Sequence, residues 1–235
     1  PWLGYAWVGT TDTDFDEDPS EARATCEDIE YLVKSAGHYF PALRRARVYW
    51  TNAGVRALVM KPGSASSVSR QHRIRADQPG LISVLGGKIT GYRAIAEQVV
   101  DAACRILRHR KRSDTAEAPL PGAARPFGSG YLESIYGCRA EEVRALVAQD
   151  PELGRPLDPE YPDIAAQVVF AVRQEHCRRV SDFMLRRSLL GFRPDQGLRA
   201  VEAVADRMAR ELGWSAAERD AEVDSYRRRA QEVMG

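Results

Sequence analysis

The chain has 235 residues, 44% of them hydrophobic, which is enough for one large domain or two small ones with a real core. Lys and Arg number 34 against 33 Asp and Glu, so no overall charge draws it to nucleic acid or to an anionic membrane. No apolar run reaches membrane-spanning length and the opening residues lack the basic and apolar parts of a signal peptide, so the expectation is a soluble, cytoplasmic chain.

Trp2 to Val8 is an aromatic and apolar run of strand length ending in Gly9 and a Thr/Asp cluster, which predicts a strand and a polar turn. Asp14 to Ala24 is acidic and loop-like. Thr25 with Asp28 three residues on is a helix-capping pattern, and Ile29, Leu32, Val33 and Ala36 form one stripe behind it, so a surface helix ending near Gly37 follows. Val48 to Asn52 has the β-branched and aromatic content of a strand and stops at Ala53-Gly54, with Arg56 just beyond. An arginine there suits planar recognition of an anion, or it caps a sheet edge.

Lys61 to Ser69 is a small, polar loop. Arg70, His72, Arg73 and Arg75 follow; if they alternate as a strand, Arg73 and Arg75 share one face and Arg70 and His72 the other. Leu81 to Leu85 is a strand-length apolar run that meets Gly86, Gly87 and Lys88, and from Thr90 the apolar residues Ile95, Val99, Ala102, Ala103, Ile106 and Leu107 recur at helical spacing. Strand, tight turn and helix are the reading. The glycines open the backbone to close approach, the first N–H groups of a helix carry about half a positive charge, and Lys88 adds a whole one. Such a turn holds a phosphate, a carboxylate or an electron-rich ring edge, or it is a sharp connection with a solvated lysine.

Arg108 to Thr115 is a charge run leading into Pro119, Pro121, Gly122 and Pro126, which is linker composition, and a boundary falls near Ser113. Beyond it the pattern is helical: Ser134 to Tyr136, Ala140 to Gln149, a long helix over 163–190, a helix carrying Val201, Val204, Ala205, Met208 and Leu212, and a last one opened by the capping box Ser215 to Glu218. Arg173, Glu175, Asp182, Arg186 and Arg187 lie on the long helix, where Asp182 and Arg186 are spaced to pair along its surface and His176 sits among the polar positions. Cys26, Cys104, Cys138 and Cys177, like the four histidines, show no metal-ligand spacing, so no metal site is expected.

Gly86-Gly87-Lys88-Ile89-Thr90-Gly91-Tyr92-Arg93-Ala94 resembles the second signature of the FAD-dependent glycerol-3-phosphate dehydrogenases, and Gly9 to Asp14, Ala53 to Leu58, Ser69 to His72, Val172 to Glu175 and Asp182 with Arg186-Arg187 resemble the same family in the same order. The family's proline after the arginine is Ala57 here, a less rigid turn. The resemblance implies an α+β chain: residues 1–112 as the C-terminal part of an FAD and substrate domain, and 113–235 as a helical C-terminal domain. No Gly-x-Gly-x-x-Gly turn is present, so the implied protein is longer, with its adenine-binding glycines upstream. Implied with it are oxidation of sn-glycerol 3-phosphate to dihydroxyacetone phosphate, electron transfer through FAD to a quinone, and peripheral attachment to the inner face of the cell membrane, with a homodimer among the assemblies it allows. Arg56, Arg70 and Lys88 would bind substrate, with Arg56 and Lys88 serving catalysis, and Gly86, Gly87, Lys88, Ile89 and Thr90 would hold the flavin. An oxidase of the same family that gives its electrons to oxygen, or a non-catalytic helical interaction module, are the alternatives.

Overall fold

The structure, a computed structural model, describes residues 4–56, 71–109 and 111–234. It is α+β, a small antiparallel sheet followed by an all-helical region, as the sequence predicts. Two compact units are distinguished: residues 1–38 with 53–119, and residues 39–52 with 120–235.

In the first unit, helix α1 (Cys26–Tyr39) starts at the expected box: the Asp28 carboxylate accepts from the Thr25 N–H and hydroxyl, both at 2.9 Å, and the Asp28 N–H donates back to Thr25 Oγ1 at 3.2 Å. Ile29, Leu32, Val33 and Ala36 are half-buried along one face. Strands β1 (Arg73–Gln78) and β2 (Leu81–Leu85) form an antiparallel hairpin closed by Pro79-Gly80, with Gly80 at φ +78°. Arg73 faces Leu85 and Arg75 faces Ser83, with an irregularity between Arg75 and Gln78. The predicted alternation holds, Arg73 and Arg75 exposed and His72 and Ile74 half-buried. Helix α2 (Tyr92–Ile106) packs on β2. It starts two residues later than predicted, because Ile89–Gly91 forms a 3₁₀ turn first.

Two predicted strands are corrected. Of Trp2 to Val8 the described residues 4–8 hold one bridge, at Tyr5, and no continuous strand, and Val48–Asn52 forms none. A strand exists only where a neighbour completes its hydrogen-bond ladder, and composition cannot supply that neighbour. The second segment instead belongs to the helical unit: the Trp50 ring meets Phe192 edge-on at 4.9 Å, and Gln196 Nε2 donates to the Tyr49 carbonyl at 3.5 Å. The Lys61–Ser69 loop lies outside the described residues.

The helical unit holds the core. Helices α3 (Tyr131–Tyr136) and α4 (Ala140–Gln149) lead to α5 (Ala165–Gln174), whose residues 165–172 are all buried. Ala-Ala-Gln-Val-Val-Phe-Ala-Val is apolar almost all round, and such a helix can only be central. Its sole buried amide is satisfied, since Gln167 Oε1 accepts the Ile164 N–H at 2.8 Å.

The long helix predicted over 163–190 is three pieces. The N–H groups of Glu175 and Cys177 both bond the Ala171 carbonyl, at 3.0 and 3.1 Å, and His176 turns left-handed at φ 54°. Asp182 then accepts from the N–H groups of Arg178 (3.1 Å) and Arg179 (3.0 Å), starting α6 (Val180–Asp182), which runs into a π turn at Phe183–Arg187. No glycine or proline marks the break, since a histidine takes the left-handed position that glycine usually fills. His176 is therefore a helix terminator and not a residue of a helix face. Helices α7 (Val201–Leu212) and α8 (Ala216–Met234) follow. Gly213 ends α7 at φ 71°, and Glu218 accepts from the Ser215 N–H and hydroxyl at 2.8 Å. Val201, Val204, Ala205 and Met208 are fully buried, the predicted stripe.

Candidate functional site

The Gly86-Gly87-Lys88-Ile89-Thr90 turn lies where β2 hands the chain to α2. Gly86 (φ +69°) and Gly87 (φ +106°) both occupy backbone space that side chains avoid. A Cβ at Gly87 would stand 3.1 Å from Ile95 Cδ1 and 3.2 Å from His72 Cβ, so glycine also lets the turn close against α2 and the residue preceding β1. Lys88 is extended at φ −105° and ψ 140°, and its carbonyl accepts the Gly91 N–H at 2.9 Å. The backbone hydrogen bonds of the helical region thus begin at Gly91, which leaves the N–H groups before it without an intrahelical acceptor.

Of the turn, Lys88 and Thr90 border an open depression of about 440 Å³, lined also by Gln71, His72, Gly91, Ala94 and Ile95. His72 is held by a 2.9 Å hydrogen bond between its Nε2 and Gln98 Oε1. Sequence reasoning did not assign His72 or Gln98 to this site. The signal available was the two-residue alternation that sets His72 opposite Arg73. Nothing local relates His72 to a residue 26 positions later.

The remaining candidates are separate. Arg56 does not line this depression; its Nε pairs with Asp12 Oδ1 at 3.2 Å, which brings together two of the segments that carry the family resemblance. Both side chains are substantially exposed, so the pair contributes little to stability, and its carboxylate partly satisfies the cation. Asp12's neighbour Thr11 bonds Asp28, whose carboxyl is held below its ordinary pKa first by the Thr25 N–H and then by the Thr11 and Thr25 hydroxyls. Arg70 lies outside the described residues. The charges singled out on the broken helix are structural: Asp182 pairs with Arg186 at 2.8 Å, Arg173 forks onto Glu211 at 2.7 and 3.2 Å, and Arg187 donates to the Glu175 carbonyl.

A cationic, glycine-opened strand–turn–helix followed by an all-α unit is the architecture that the comparisons with known proteins meet. Residues 113–219 match the family model described as the C-terminal domain of alpha-glycerophosphate oxidase. The chain is 34% identical over 252 residues to a glycerol-3-phosphate dehydrogenase of Synechocystis, across 96% of this chain and 46% of that protein, and 29% identical to glycerol-3-phosphate dehydrogenase 2 of Mycobacterium tuberculosis, across 98% and 43%. Among solved structures it resembles the glycerol-3-phosphate dehydrogenase of Bacillus halodurans complexed with FAD, with a TM-score of 0.76 and 26% identity over 97% of this chain and 49% of that one. These are family-level matches to glycerol-3-phosphate dehydrogenases, one of them solved with FAD. The chain spans less than half the length of these relatives.

Proposed function

We propose that this chain is the C-terminal portion of an FAD-dependent glycerol-3-phosphate dehydrogenase, with residues 1–112 completing the FAD and substrate domain and 113–235 forming the helical domain. The observation that carries the reading is the likeness of nearly the whole chain to a glycerol-3-phosphate dehydrogenase solved with FAD. The turn fits such a group: two glycines at positive φ lead into Lys88, Thr90 and Gly91, which line an open depression ahead of a 15-residue helix.

Bound FAD would supply the hydride acceptor for oxidation of sn-glycerol 3-phosphate at C2, giving dihydroxyacetone phosphate. The chain's own residues supply charge and orientation. Gly86, Gly87, Ile89 and Thr90 would hold the flavin through main-chain N–H groups, and Lys88 would add positive charge beside it. Arg56 and Arg70 bind the phosphate and fix the hydroxyl, which requires Arg56 to loosen its hold on Asp12 or to keep both anions in reach. Electrons would leave to a quinone, with the enzyme held peripherally at the membrane; among the described residues no helix is long and apolar enough to cross a membrane.

The test is anaerobic addition of glycerol 3-phosphate to the intact, flavin-loaded protein. Bleaching of the flavin absorbance that returns on adding a soluble quinone supports the reading, and no bleaching overturns it. The match to a domain of alpha-glycerophosphate oxidase favours one second reading, transfer to oxygen. Stoichiometric peroxide on turnover in air would establish it.

A further inference from the structure

The proposed chemistry gives His72 and Gln98 no task, yet both stand beside the turn that carries Lys88. The ladder sets Arg73 opposite Leu85, so its next step places His72 against Gly86. At Gly87 a Cβ would lie 3.2 Å from His72 Cβ and 3.1 Å from Ile95 Cδ1, which puts the turn between the residue before β1 on one side and α2 on the other. The 2.9 Å bond between His72 Nε2 and Gln98 Oε1 joins those two sides directly. With that oxygen as acceptor, Nε2 is the donor whether the imidazole is neutral or charged. His72 lines the depression that Lys88 and Thr90 border, and Gln98 lines a second one of about 320 Å³ further along α2, so the bond stands between the two. Two adjacent glycines at positive φ make a backbone with little stiffness of its own, and the lysine that follows them inherits that play. The bond from the Gly91 N–H to the Lys88 carbonyl steadies the turn on its helix side, and the histidine steadies the other.

We infer that His72, held by Gln98, is a positioning residue for the Gly86 to Thr90 turn: the pair braces the turn so that Lys88 and the main-chain N–H groups stay beside the flavin as it is reduced. The inference rests on the reading of that turn given above. Positive charge held close favours the reduced, more negative flavin over the oxidised one, so loosening the brace lowers the midpoint potential as well as the hold on the flavin. A neutral hydrogen bond of this kind is worth a few-fold to about tenfold in an equilibrium, which sets the size of the effect.

The test is the flavin midpoint potential of the intact protein, measured with FAD in excess. Gln98→Leu, which changes an exposed position and leaves His72 in place, should weaken the preference for the reduced flavin about fivefold, a potential about 20 mV lower for a two-electron couple. His72→Phe, which fills the place of the ring without a donor, should do the same. His72→Gln, whose amide can donate to Gln98, should return at least half of the shift. The double variant Gln98→Leu with His72→Phe should fall no further than either alone, because both break one bond. An unchanged potential in Gln98→Leu, shifts that add, or a potential in His72→Gln as low as in His72→Phe overturns the inference. If the parent takes up no FAD, or Lys88→Met leaves its potential where it was, the reading of the turn fails instead.

Discussion

Asp163 shows what one residue contributes when burial dominates its environment. It is wholly inaccessible; Oδ1 accepts the Tyr131 hydroxyl at 2.8 Å, while Oδ2 has no hydrogen-bond partner among the described residues. Burial pushes its carboxyl above the ordinary carboxylate pKa, against the Tyr131 bond and the charge of Arg193. The folded chain therefore keeps this proton where the unfolded chain has lost it. The resulting stability is fully present below the unfolded pKa of about 3.9 and is lost as pH rises through the folded value. Asp163→Asn should flatten that loss: in urea unfolding from about pH 4 to pH 8, the mutant midpoint should gain on the parent as pH rises, and parallel curves would contradict the assignment. Gly87 is the counterpart in the turn. At φ +106° with Ile95 and His72 beside it, alanine costs about 1–3 kcal/mol and displaces the backbone, so Gly87→Ala should lower flavin content in the intact enzyme, measured as flavin to protein absorbance.

At the scale of the element, packing and capping separate by magnitude. Phe170 on α5 is 2% exposed and meets the Tyr136 ring edge-on at 5.2 Å, so Phe170→Ala should cost about 3–5 kcal/mol of unfolding free energy in urea titration. Asp182→Ala removes the cap of α6 and one exposed ion pair, and should cost about 1–2 kcal/mol by the same measurement. A larger loss in Asp182→Ala than in Phe170→Ala would mean that the break between α5 and α6, and not the core, limits the unit. That break also shows why helix length was misread. The apolar positions Val168, Val172, Val180, Phe183 and Met184 keep one buried side across it, so periodicity carries straight through a point where the backbone does not.

For the whole molecule the contrast lies between the units. Among the described residues of the first, only Gly37 is buried, and Leu81, Val84, Tyr92, Val100 and Leu107 stand exposed. The second encloses Phe170, Phe183, Met184, Leu190 and Met208 completely. Hydrogen exchange of the isolated chain should therefore be fast over 73–106 and slow in α5 and α7, and equal protection would show that the first unit finds its stability elsewhere. The residues alone determined what is local: the boxes at Thr25 and Ser215, strand β2 to the residue, the glycine turn before α2, and the stripe of α7. Each depends on neighbours within about four positions, which a linear pattern records. Only tertiary structure decided that Val48 to Asn52 is a strap on the helical unit, that His72 meets Gln98, that Asp12 pairs with Arg56, and that a histidine ends α5. Those outcomes turn on partners brought together from distant positions, and on a left-handed residue held by its surroundings, and neither leaves a period in the sequence.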